Sequence, residues 1–120
     1  MSLASQLFFG DEKLLACLRQ DTAHIKIGAR GDHVAKIQCA VSRLERYMID
    51  CYEIRDSYYG PSTARAVLTY KKKRNIINRS YQSQPDDIVG KMTIATLDRE
   101  LCAVESVASP VAHLRREARR

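Results

Sequence analysis

The residue types that suit catalysis do not converge in this sequence. His24, His33 and His113 are far apart, and no serine stands in a turn typical of a nucleophile. Two carboxylate pairs, Asp86 with Asp87 and Glu53 with Asp56, are explained by turn formation. A glycoside hydrolase of the retaining type holds two carboxylates about 5–5.5 Å apart in a cleft, for which a small helical chain has little room. We therefore expect no enzymatic activity.

Other side chains suit non-covalent recognition. Two turns and the loop between them bring together aromatic rings and short polar groups, which fit the apolar faces and hydroxyl or amide groups of sugars and peptides. An alternative interpretation places Tyr58 in the hydrophobic core. The candidate ligand-binding residues, expected on one rim, are Arg55, Asp56, Tyr58, Tyr81 and Gln82.

The sequence indicates no cofactor and no metal site. Its four cysteines are far apart, without a Cys-x-x-Cys pair or a histidine at ligand spacing, so a zinc site is not expected. Gly28 and Gly31 are not followed by the Lys-Ser/Thr pair of a phosphate-binding loop. Free thiols and synthesis in a reducing compartment are the simplest interpretation. The cysteines are Cys17, Cys39, Cys51 and Cys102.

Two segments set 30 residues apart share one pattern, residues 56–67 and 86–97. Each has an Asp four residues before a Gly, two apolar or aromatic residues directly before that Gly, and a Thr three residues after it. Asp can close a turn, Thr can hydrogen-bond a first helical turn, and Pro61 suits the first helical position because it lacks an N–H. The pattern predicts a turn followed by a helix, used twice. Gly60 and Gly90 are expected where a side chain is not tolerated.

Apolar residues at helical spacing predict the elements that carry these turns. A stripe from Val34 to Met48, at steps of three and four, predicts the longest helix over residues 32–49. Helices are predicted to follow the two turns, over 61–74 and 91–103, and a short helix is predicted near 11–19. The fold class is therefore predicted to be all-α: a small three-helix bundle with duplicated turn–helix units and an extra short N-terminal helix.

A chain of 120 residues can bury one core and is too short for two ordinary domains. The predicted organisation is an N-terminal extension with the short helix over 1–24, a domain over 25–103, and a basic, mobile tail over 104–120.

Three further features have a structural interpretation. Gln38 is predicted to be a buried amide that hydrogen-bonds the backbone near the loop glycines. Phe8 and Phe9 are predicted to anchor the first helix on the core, with an exposed partner-binding pair as the alternative. The cations of residues 71–74 complement a helix C-terminus.

The formal net charge of +6 favours an anionic partner such as wall polymer, nucleic acid or a lipid surface, or serves solubility alone. Nucleic acid is not expected as a partner, because the basic cluster lacks a recognised reading helix. No run approaches the ~18 apolar residues of a membrane span, and the N-terminus does not resemble a secretory signal. The chain is therefore expected to be made in the cytoplasm without a signal peptide.

Three motifs in order resemble a known family: Gly28-x-x-Gly31-x-x-Val34-x-x-Ile37-Gln38, then Asp56-x-x-Tyr59-Gly60-Pro-x-Thr63-x-x-Ala66-Val67, then Asp86-x-Ile88-Val89-Gly90-x-x-Thr93-x-x-x-Leu97. They are similar to the compact three-helix peptidoglycan-binding domain found beside many bacterial and phage cell-wall hydrolases. The resemblance covers about residues 25–101. It implies that the chain binds the glycan or the stem peptide of peptidoglycan without catalysis. Such binding would target an associated wall-active or delivered protein to the wall.

The chain departs from the family pattern at three places. Asp56-Ser57 and Asp86-Asp87 stand where Asp-Gly is usual, and Tyr70-Lys71 stands where an aromatic residue and Gln are usual. The alternative function is an adaptor that docks on a wall hydrolase or on a protein of a phage lysis or contractile, type VI-like secretion system. In either case the chain would act at the cell wall or periplasm after delivery by such an apparatus.

Overall fold

The computed structural model describes residues 2–77 and 84–118, with side chains of the last helix as far as residue 106. Within these residues there are two isolated β-bridges and no β-strand, so the predicted all-α class is confirmed. A 3-10 turn follows the first helix. The five helices are α1 (Glu12–Arg19), α2 (Asp32–Glu45), α3 (Cys51–Arg55), α4 (Pro61–Arg74) and α5 (Lys91–Ala118).

The helices begin close to the predicted residues, but two of them end elsewhere. Helix α2 stops at Glu45 because Arg46 takes a left-handed conformation with φ of 56°, and Met48, the last member of the predicted stripe, is 89% exposed. Helix α5 continues to Ala118, so the backbone over residues 104–118, predicted as a tail, is helical. Helix α3 was not predicted.

The N-terminal residues are fastened to α5, against which α1 also packs. The backbone N–H groups of residues 4–7 donate to two carboxylates of α5, Asp98 and Glu105, over 2.7–3.2 Å. Hydrogen bonds to a charged acceptor are stronger than those between neutral groups. Phe8 is fully buried, whereas Phe9 is 73% exposed. The predicted anchoring role therefore holds for Phe8 alone.

Helix α2 packs against α4 and α5, and their apolar side chains meet in one core. Burying a Val, Leu or Ile side chain contributes about 1.5–3 kcal/mol, so this shared core is the main stabilising feature. Its fully buried members include Val34, Ile37, Val41, Val67, Tyr70, Ile94, Leu97 and Leu101.

A charged network at the end of α4 joins the same three helices. The Arg74 guanidinium lies 2.8 Å from a Glu45 oxygen and 2.7 Å from a Glu100 oxygen, and Lys73 Nζ lies 2.6 Å from Glu45. Arg74 also stacks on the Tyr70 ring, 3.7 Å from its centroid. Burial would raise the pKa of Glu45, but the hydrogen bonds from Lys73 and Arg74 outweigh it and lower that pKa. Much of the basic cluster is thus used within the fold.

Candidate functional site

One loop pairs with both turns, and we call residues 24–31 the pairing loop. Ile25 and Val89 exchange two backbone hydrogen bonds of 2.9 and 2.8 Å. Four residues further along, the Tyr59 N–H donates to the Ala29 carbonyl at 2.9 Å, and the Gly28 N–H donates to the Tyr59 carbonyl at 2.9 Å. The first turn (residues 56–60) and the second turn (residues 86–90) therefore lie side by side along the pairing loop.

Each turn is also tied to the preceding long helix by one side chain. Gln38 Nε2 of α2 donates to the Tyr58 carbonyl at 2.9 Å, and Lys71 Nζ of α4 donates to the Ile88 carbonyl at 2.8 Å. Tyr58 and Ile88 occupy equivalent positions of the two turns, so these side chains play the same part. The structural role predicted for Gln38 is confirmed, although its partner is the first turn instead of the loop glycines. Lys71 is buried and also contacts Asp86 at 2.6 Å.

The start of α4 is held by the carboxylate of Glu53, which the sequence analysis had assigned to turn formation only. Glu53 is fully buried, and its oxygens accept hydrogen bonds from the N–H groups of Gly60 (3.1 Å), Ser62 (3.0 Å) and Thr63 (2.9 Å) and from the Thr63 hydroxyl (2.7 Å). Glu53 therefore satisfies the free N–H groups of the first helical turn, and Thr63, which was predicted to do so, instead donates its own hydroxyl to Glu53. Burial would raise the pKa of Glu53, but the hydrogen bonds from Thr63 and Ser62 outweigh it and lower that pKa to about 2.

Gly60 and Gly90 differ in the space around them. A Cβ at Gly60 would lie 2.6 Å from Glu53 Cδ, which is too close for any real contact. At Gly90 the nearest atom would be Nε2 of His24, a side chain that can move, at 3.2 Å. The φ of Gly60 is −105°, a value open to any residue, so its requirement for glycine comes from space and not from backbone conformation.

This difference predicts unequal costs for two matched substitutions. Gly60→Ala should destabilise the protein by about 1–3 kcal/mol, because it overpacks a buried hydrogen-bonded group. Gly90→Ala should cost less than about 1 kcal/mol, because His24 can shift by a few tenths of an ångström. Urea unfolding of both variants measures the difference, and equal losses would contradict the packing seen here.

Three of the predicted binding residues, Arg55, Asp56 and Tyr58, lie together at the first turn. We call these three residues and Arg30 the rim. Arg55 and Asp56 form an exposed ion pair with Nε and Oδ1 3.0 Å apart, and the Arg55 hydrogen bond lowers the pKa of Asp56. Tyr58 is half-buried, and the Arg30 guanidinium lies 4.3 Å from the centroid of its ring. Arg30 was missed from the sequence. Tyr81 and Gln82 lie outside the described residues.

A second concave surface, which we call the groove, lies beside the second turn and the start of α5. It has a volume of about 380 Å³ and combines apolar and charged walls. Lys91 pairs with Asp21 across 3.2 Å at its edge. The groove was not found from the sequence, because its walls come from three separate stretches of the chain, residues 21–24, 71–76 and 86–93. Its lining includes His24, Lys71, Ile76, Asp86, Ile88 and Met92.

The described residues offer no assembled metal site, since no three His, Cys, Asp or Glu side chains are grouped there. All four cysteines are free. Cys17 is buried, its thiol donates to the Val89 carbonyl at 3.3 Å, and burial raises its pKa to about 12. In the same part of the chain, no helix has both the length and the apolar character that crossing a bilayer requires.

Comparison of the chain with protein-family models, curated proteins and solved structures finds no significant match. Function is therefore inferred from the two turns and the rim.

Proposed function

We propose that this chain binds bacterial cell-wall peptidoglycan without catalysis and thereby targets an associated wall-active or delivered protein. The observation that carries the proposal is the pair of equivalent turns, each joined to one pairing loop and each tied by one side chain, Gln38 or Lys71. This geometry supports a three-helix bundle of duplicated turn–helix units formed by α2, α4 and α5. It is the architecture that the resemblance implies.

The rim has the chemistry for such a ligand. Peptidoglycan presents hydroxyl, amide and carboxylate groups, and the rim offers the guanidinium donors of Arg30 and Arg55, the Asp56 carboxylate and part of the Tyr58 ring. The guanidinium of arginine donates in a planar fork that matches carboxylates and amides. Stacking on the Tyr58 ring fixes the orientation of Arg30 before a ligand arrives. The Arg55 and Asp56 side chains are 74% and 42% exposed.

The test is retention on purified sacculi of a variant that removes rim chemistry. Arg55→Ala combined with Tyr58→Ala should weaken retention about tenfold, equivalent to about 1.4 kcal/mol, which is modest for the loss of an arginine and an aromatic contact. The control is Arg43→Ala, an exposed arginine in the last turn of α2 with the same change of charge. Circular dichroism checks folding. Equal retention of the rim variant and the control would remove the rim from the proposal.

A second candidate function, the adaptor, is favoured by one observation near the N-terminus of the chain. Phe9 is 73% exposed beside an apolar hollow of about 210 Å³ lined in part by Leu3 and Leu15. Exposed aromatic rings beside apolar hollows are typical of protein–protein contacts. A wall hydrolase or a secretion-system protein would be the partner. Phe9→Ser should then release that partner and leave sacculus retention unchanged.

A further inference from the structure

The positive charge of this chain is concentrated on two neighbouring helices. Helix α2 with its C-cap residue Arg46, together with α4, carries eight Lys and Arg side chains and two acids. Their formal charge of +6 equals that of the whole chain, so the remaining residues are neutral as a group. Helix α4 contains no acidic residue. An anionic partner is therefore attracted to one side of the molecule instead of to its whole surface.

The segment that follows α2 runs back along α4 and adds to the same surface. Before this segment, Glu45 pairs with Lys73 across 2.6 Å, and at its other end the Asp50 N–H donates to the Ser62 hydroxyl oxygen at 2.9 Å. Ser62 and Lys73 are about three helical turns apart, so both lie on one side of α4. Residues 46–50 therefore follow that side of the helix.

Four exposed cations and one exposed apolar side chain form this surface, and we call it the basic face: Arg46, Met48, Arg65, Lys72 and Lys73. Arg65 and Lys72, about two turns apart, form the adjoining row of α4. Among the described residues, no carboxylate pairs with any of the four cations except Lys73, whose partner Glu45 has a side chain only 4% exposed. The exposed acid of the segment, Asp50, lies at its far end. The cations are thus available to an external anion.

Met48 gives the basic face an apolar side chain that the fold leaves in solvent. It is 89% exposed, and it stands two residues after Arg46, next to the half-buried Tyr47. Basic side chains around an exposed apolar one are typical of surfaces that lie on an anionic bilayer, where cations meet headgroup phosphates and the apolar group enters the acyl boundary. A tyrosine between them suits the same boundary.

Other anionic partners fit this face less well. A nucleic acid bound without sequence preference stacks its bases on exposed aromatic rings. Of the rings beside the basic face, Tyr70 is fully buried under Arg74, and Tyr47 is half-buried. A protein partner needs a pocket for an apolar or aromatic anchor. The adjoining hollow of about 520 Å³ has a largely charged lining among the described residues, which suits a lipid headgroup better.

We propose that the basic face binds the surface of an anionic lipid bilayer, with its cations on headgroup phosphates and Met48 in the acyl boundary. Binding at this face uses none of the rim residues. It therefore stands independently of peptidoglycan binding, and it would hold the chain at a membrane while the rim remains available to a second ligand.

Cosedimentation of the full chain with lipid vesicles tests the proposal at about 0.1 M salt, where the Debye length is about 10 Å. Vesicles of phosphatidylglycerol and phosphatidylcholine in equal parts should bind most of the protein. Vesicles of phosphatidylcholine alone should bind little, because they lack the negative surface potential that attracts the cations. Equal binding to the two kinds of vesicle, or binding to neither, would overturn the proposal.

A pair of matched double variants tests the location. Arg46→Gln combined with Lys72→Gln should weaken binding to the anionic vesicles about tenfold or more, because both cations face the lipid surface. Lys13→Gln combined with Lys26→Gln is the control, with the same change of charge at exposed lysines of α1 and the pairing loop. Circular dichroism checks folding. Equal losses in the two variants would show attraction by net charge alone and overturn the assignment to the basic face.

Met48→Trp reports insertion, because the chain has no tryptophan of its own. Its fluorescence should shift to shorter wavelength with the anionic vesicles, as the indole leaves water for the acyl boundary. Ile27→Trp, at a side chain 50% exposed in the pairing loop, is the control and should not shift. Absence of a shift at residue 48 in the bound protein would overturn the orientation proposed here.

Two soluble polyanions, a single-stranded oligonucleotide and polyglutamate, stand for nucleic acid and acidic protein. Both should bind more weakly than the anionic vesicles, and only vesicle binding should weaken in Met48→Ser. A polyanion that binds more tightly than the vesicles would overturn the proposal in favour of its own class. Vesicle binding without retention on sacculi would leave this inference in place and remove the peptidoglycan function, whereas the reverse result would remove only this inference.

Discussion

Replacing Glu53 by alanine should destabilise the protein by about 3 kcal/mol or more, because each buried donor left without its acceptor costs about 1–3 kcal/mol. The substitution leaves the N–H groups of Gly60, Ser62 and Thr63 without their acceptor in a site that is fully buried. Urea unfolding followed by circular dichroism measures the loss. Asp56→Ala, an exposed carboxylate in the adjoining turn, is the control and should cost less than about 1 kcal/mol.

The same carboxylate should make stability depend on pH in a defined window. The pKa of Glu53 is lowered from 4.5 to about 2 in the folded state, so the unfolded chain binds a proton more readily than the folded chain does. The contribution of Glu53 is therefore complete above about pH 5 and is lost as the pH falls from about 4.5 towards 2; it amounts to about 3 kcal/mol. Acid unfolding of Glu53→Gln should lack this component. Parallel pH profiles for the wild type and Glu53→Gln would contradict the role assigned to the ionised carboxylate.

Lys71→Met should cost about 2–4 kcal/mol, because it removes the donor that ties the second turn to α4 and the cation held against Asp86. Lys71→Gln should recover at least part of this loss, because Gln38 performs the same task for the first turn with an amide. Lys72→Met, an exposed lysine in the same helical turn, should change stability by less than about 0.5 kcal/mol. Equal stability of the Met and Gln variants at position 71 would show that the tether to Ile88 contributes nothing.

The helix starts were predictable from the sequence, because local chemistry determines them. Proline at the first position of α4 and glycine directly before α4 and α5 act within a few residues of the helix. The helix ends were less predictable. Arg46 adopts a left-handed conformation that its residue type does not favour, and α3 has five residues, too few for an apolar period to be recognised.

Only part of the candidate site was predictable from the sequence. Gln38 was identified because a buried amide must find partners. Glu53 was assigned to turn formation because glutamate is rarely buried. One signal for its role was present: Gly60 precedes α4 without a side chain that could accept from the first helical turn, so an acceptor had to come from elsewhere. Lys71 was predicted only as one of the cations that complement a helix C-terminus. Its burial depends on the second turn, which only the tertiary structure brings to it.

Cosedimentation of the pure wild-type protein with purified sacculi, at low salt and in about 1 M salt, tests the central claim most directly. At the higher concentration the Debye length is about 3 Å, which removes general attraction between exposed charges. We expect most of the protein to stay with the sacculi under both conditions, and no reducing ends or free amines to be released. Retention that vanishes in high salt would show only the attraction of a basic protein for an anionic polymer, and it would contradict specific binding of peptidoglycan. Release of wall fragments by the pure protein would contradict binding without catalysis.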